Sequence, residues 1–65
     1  MNKNQLLDEI AELIGAMVLY EVRPETRRDI VKSKLIARRS FLDPADYCEA
    51  CYEALAMIKK AEAWS

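Results

Sequence analysis

A chain of 65 residues with a net charge of −1 has material for one small domain, spanning 1–65. Domains of this size bury only about 60% of the surface their unfolded chain exposes, so a large self-sufficient core is excluded. One Gly and two Pro against abundant Ala, Leu, Glu, Lys and Arg argue for helix and against turn-rich β structure. With no His and two Cys, the chain alone cannot supply the four His or Cys ligands of a structural zinc site. The N-terminus shows no leader-like apolar region, and the longest apolar run is roughly half a membrane span. The expectation is a cytoplasmic protein with reduced thiols and no membrane partner.

The first helix is expected over residues 4–22. Asn2 or Asn4 can cap it, and Asn2-Lys3-Asn4-Gln5 imitates a capping box. Leu6, Ile10, Leu13, Met17 and Tyr20 recur at steps of four and three, a seam of heptad type. Leu7, Ile14 and Val18 form a second stripe that widens it. Residues 13–22 are apolar except for Gly15 and Glu21, so this helix has hydrophobic side chains on every face. Residues 17–22 are also rich in β formers, which leaves a strand there as the alternative. Pro24 pushes Arg23 out of the α region and ends the segment near Val22.

The second helix is expected over 25–39, with Pro24 at its first position or Thr26 as its cap. Ile30, Val31, Leu35 and Ile36 give it a modest apolar face among many cations. The third is expected over 44–63 and has the clearest start in the chain. Asp43 caps it, Pro44 suits the first turn, Asp46 adds a favourable charge, and Leu42 can staple onto Tyr47. Cys48, Cys51, Leu55 and Ile58 are read as its core stripe, flanked by Tyr47, Ala54 and Ala61. Both connections are short, which implies antiparallel neighbours. The fold class expected is all-α, a three-helix up-down-up bundle completed by homodimerisation.

Charge is distributed in three blocks. Residues 1–22 set Lys3 against Asp8, Glu9, Glu12 and Glu21, a net −3. Residues 23–39 set seven cations against Glu25 and Asp29, a net +5, and residues 40–65 return to −3. A basic helix between two acidic ones suggests pairing within the molecule or dimer. Nucleic-acid binding by the same helix is the alternative. It is weakened by a pI near 5.3 and by an acidic third helix where a helix-turn-helix would place its reader. Met17, Leu19 and Tyr20 are poor base-edge readers for a strand-based motif.

Residues able to carry chemistry are sparse. A redox Cys48/Cys51 pair would want its attacking thiol at a helix N-terminus beside a cation, whereas Cys48 falls inside the expected helix between Tyr47 and Glu49. Both thiols are therefore read as small core residues. Asp8, Glu9 and Glu12 on the first helix and Asp46, Glu49 and Glu53 on the third suggest a third reading, a Mg²⁺-dependent nucleotide hydrolase. Exposed acidic faces explain the same residues. Without His, nothing activates Ser40, Ser65 or either Cys as a nucleophile.

The apolar excess of the first helix then carries the reading. Leu19 and its neighbours, with Phe41 and Trp64 also available, offer more hydrophobic surface than two short helices cover, and self-association is the commonest solution. The sequence points to a non-enzymatic protein–protein interaction module, a small homodimeric regulator or inhibitor of a larger protein. Leu13, Met17, Leu19 and Tyr20 are its expected dimer or partner interface. Arg27, Arg28, Lys32 and Arg39 are its expected basic face toward an acidic partner. No cofactor and no metal are expected.

Overall fold

Three α-helices account for most of the chain in its computed structural model, which describes residues 1–63: α1 (Lys3–Leu19), α2 (Pro24–Arg38) and α3 (Pro44–Ala63). A single 3-10 turn, Arg39–Phe41, joins the last two, and no strand occurs among the described residues. The architecture is all-α. Ion pairs between the helices report their directions. Lys3 at the start of α1 meets Glu49 and Glu53 in the first half of α3, so these two run parallel. Glu9 of α1 meets Lys34 and Arg38 near the end of α2, and Arg28 near the start of α2 meets Glu62 near the end of α3. Each of these pairs is antiparallel, which gives the up-down-up order.

Asn2 is the cap of α1. Its side-chain Oδ1 accepts from the Gln5 backbone N–H at 2.9 Å, and its own N–H donates to Gln5 Oε1 at 2.8 Å. This reciprocal box satisfies two otherwise orphaned donors of the first turn. Pro24 opens α2 after Arg23, whose backbone is extended and whose side chain makes no capping bond. Pro44 opens α3 after Asp43, whose carbonyl accepts from Tyr47 N–H.

α1 ends at Leu19, three residues before Val22. The cause is a tight reversal over residues 20–22. Glu21 takes the left-handed conformation, φ 57°. Its N–H donates to the Val18 carbonyl, and the Val22 N–H donates to Met17. This is the Schellman arrangement with Glu where Gly is usual, and it folds the Val22 side chain back onto the core. Residues 20–22 are thus neither helix nor strand. The β formers there are used to dock a turn.

The core lies between the two stripes expected on α1. Leu6, Ile10, Ile14 and Met17 are buried, while Leu7, Leu13 and Val18 pack half-buried on either side. Tyr20 leaves the seam altogether because the helix has already ended. α2 contributes Val31, and α3 contributes Ala50, Ala54, Ile58 and Ala61. The α3 stripe is therefore rotated from the expected one. Cys48 is exposed and Cys51 only half-buried, which corrects the reading of both thiols as core residues. Alanines face inward because a short bundle needs close helix approach, and interaxial distance follows side-chain size at the contact.

Gly15 lies on α1 with nothing within 4 Å of where a Cβ would stand. Gly15→Ala should stabilise the fold by about 0.5–1 kcal/mol, since Ala loses less backbone entropy in a helix and meets no clash. Glu21→Gly should add about as much by removing the left-handed penalty. Thermal melts should rise about 4–8 °C per kcal/mol at this chain length. A drop in melting temperature for Gly15→Ala would mean that the α1–α3 groove beside it is occupied.

Candidate interaction surfaces

The expected interface residues on α1 separate in the structure. Met17 is 5% exposed and belongs to the core, and Leu13 is half-buried at the α1–α2 edge. Leu19 and Tyr20 are 75% and 78% exposed at the end of the helix. Only those two remain as free apolar surface, so Met17 is corrected from interface to core. Phe41 is exposed, with the Arg38 guanidinium 5.7 Å from its ring centroid. Trp64 and Ser65 lie outside the described residues.

The expected basic face also divides. Arg27 is 6% exposed and donates from Nε to the Val22 carbonyl at 2.7 Å, so it braces the α1–α2 corner rather than facing a partner. Arg28 is exposed but engages Glu62, with both Nε and Nη2 at 2.7 Å from Oε1. Lys34 and Arg38 share Glu9 Oε2 at 3.3 and 3.2 Å. Lys32 and Arg39 are exposed and make no ion pair among the described residues. Three of the seven cations of residues 23–39 are thus engaged by the two acidic neighbours, and such pairs contribute about 0–1 kcal/mol each.

The carboxylates do not converge. Glu9 turns toward α2, while Glu49 and Glu53 hold the Lys3 ammonium at 3.1 and 3.5 Å. These contacts raise the Lys3 pKa, the Glu49 hydrogen bond most of all. Asp8 and Glu12 are exposed. Among the described residues no group of three or more His, Cys, Asp or Glu is placed to hold a metal ion, and no helix is long and apolar enough to cross a membrane.

A surface that hydropathy alone did not single out lies between α2 and α3. Leu55 is 49% exposed and borders a groove of about 290 Å³ with Arg28, Val31, Lys32, Leu35, Cys51 and Ile58. Tyr52 and Cys48, one helical turn back, are exposed on the same side of α3. Ile36, one turn beyond Lys32 on α2, is also exposed. Burial pushes the Tyr47 hydroxyl above the usual phenol value, helped by the adjacent Cys51 thiol, while the nearby Arg39 charge works the other way. Arg39 therefore stands at the end of α2 that approaches the start of α3. The available signal was the string of alanines at 50, 54 and 61, which marks a second possible inward stripe and displaces the larger residues to the rim.

Compared with known proteins, the chain matches no family, no curated protein and no solved structure.

Two measurements test this geometry. Cys48 should react with a maleimide in the native state well before Cys51, and replacing both by Ala should cost little stability. Equal rates for the two thiols would contradict their placement. Burial raises the Glu9 carboxyl, but hydrogen bonds and charge from Lys34 and Arg38 outweigh it and hold its pKa below the ordinary value. A depressed carboxyl stabilises the fold above its unfolded pKa and loses that contribution as pH falls through the folded one. Wild-type protein should therefore lose more melting temperature than Glu9→Gln on acidification below about pH 4. Parallel acid profiles would exclude this role for Glu9.

Proposed function

We propose that this chain is a non-enzymatic helical interaction module, a small cytoplasmic homodimer that regulates or inhibits a larger protein bearing an acidic surface. The observation that carries the reading is the exposure of Leu19, Tyr20, Ile36, Phe41, Tyr52 and Leu55 on so short a chain. Leu19 and Tyr20, adjacent at the end of α1, and Tyr52 and Leu55, one turn apart on α3, are the apolar surface pairs that mark contact sites. Leu19 and Tyr20, with Leu13 at their margin, are the residues proposed for self-association. Lys32 and Arg39, with Arg28 at their side, are those proposed to face the acidic partner. A two-fold contact at the end of α1 buries the same tip from both copies.

Sedimentation over a range of concentrations tests the dimer. The wild type should sediment as a dimer, and Leu19→Glu with Tyr20→Glu should be monomeric with little change in melting, since both side chains are exposed. A wild type that stays monomeric at all concentrations removes the homodimer. A tagged pull-down with and without nuclease tests the partner. A stoichiometric protein that survives nuclease supports the module, whereas species lost on nuclease treatment favour the second reading. That reading is nucleic-acid binding by α2, and it draws on the same unpaired Lys32 and Arg39. It requires affinity to fall steeply with salt, with a log–log slope of about −0.9 per phosphate contacted on duplex DNA.

A further inference from the structure

We infer that the α2–α3 groove is the partner site of this module, and that its occupant is an acidic amphipathic α-helix, about three turns long, carried by another protein. The inference rests on the interaction-module reading above and adds the site and the chemistry of what fills it. The groove floor is apolar, with Val31, Leu35, Cys51 and Ile58 beneath a half-exposed Leu55. Its two walls differ in chemistry. On α2, Arg28 and Lys32 are one turn apart on the edge that lines the groove, and Arg39 follows in the 3-10 turn that leads toward α3. On α3, Cys48, Cys51, Tyr52 and Leu55 place uncharged side chains along two turns.

A ligand that satisfies both walls needs an apolar stripe with carboxylates along one side of it. That is the pattern of a helix laid in a groove. From Arg28 to the end of α2 at Arg38 is about 15 Å of helix, with Arg39 just beyond it, and this sets the length of the occupant. Glu62 already engages Arg28, so Lys32 and Arg39 carry most of the charge selectivity. A nucleic-acid strand would meet these cations but leave the Tyr52 and Leu55 side without a matching apolar edge. A second copy offers Asp8 and Glu12 on the outer face of α1 with Leu19 in line, while Glu49 and Glu53 of its α3 already hold Lys3. The charge and the apolar stripe together favour a partner helix.

The test places a photo-crosslinking amino acid at Tyr52, one helical turn from Leu55 beside the groove, and, separately, at Leu19 and Leu13, in the full chain expressed in its source cells. Tyr52 is 79% exposed, so the fold tolerates the change. The expected result is a crosslink from position 52 to a protein segment with an amphipathic helical pattern and carboxylates along one edge. Reversing Lys32→Glu and Arg39→Glu together should cut its yield about tenfold or more, with melting unchanged. A crosslink from position 52 to nucleic acid, to a second copy or to a segment without that pattern overturns the inference. So does a yield indifferent to the charge reversal. Crosslinks from position 19 or 13 with none from 52 reject the groove and leave the module reading standing. Silence at all three positions rejects both.

Discussion

The contact between Leu6, Ile10, Ile14 and Met17 of α1 and the alanines of α3 is what the rest of this fold depends on. Among the described residues Leu6, Ile10 and Val31 are the only large side chains fully buried, so the core is thin. Fully burying an aliphatic side chain contributes about 1.5–3 kcal/mol, and a core with three such residues needs its helices close together. Ala50, Ala54 and Ala61 permit that approach. They also decide where the larger residues of α3 go. Cys51, Leu55 and Met57 cannot share the inward line and are displaced to its two edges, where they border grooves against α2 and α1. The surface proposed to bind is thus a by-product of how the interior is packed.

Charge works at the margins of this arrangement. The acidic, basic and acidic blocks of the sequence become neighbours in space, and Glu9, Glu62, Glu49 and Glu53 each find a cation across a helix boundary. None of these pairs is deeply buried, so they orient helices more than they stabilise them. Their effect on α2 is selective. Cations on its α1 side are neutralised, Arg27 is taken into the corner, and the charge that remains lies along the α3 side. Regional composition did not reveal that asymmetry; the pairing geometry does.

Helix number, order and the cap of α1 were legible because they rest on local rules. Asn2 with Gln5, Pro24 and Pro44 act within one turn of sequence. The end of α1 was not legible. No Gly marks the turn, and a Glu in a left-handed conformation is held there by bonds to Met17 and Val18 together with the docking of Val22. The inward face of α3 was misread for a different reason. Hydropathy ranks Cys and Leu above Ala, whereas packing in a small bundle ranks by volume. The exposed Leu55 and Tyr52 follow from that reversal.

The pairing of α1 with α3 also has a temporal side. It is the most closely approached of the three helix pairs, and it joins α1 to α3 across the whole of α2 in sequence. Ribosomes add about 5–20 residues per second, so several seconds pass before residues 50–61 exist to cover the apolar stripe of α1. During that interval α2 supplies only Val31 as a fully buried partner. Until α3 is made, the apolar stripe of α1 therefore lacks its main partner. Native structure must then arrive in one late step, when α3 closes over the first two helices.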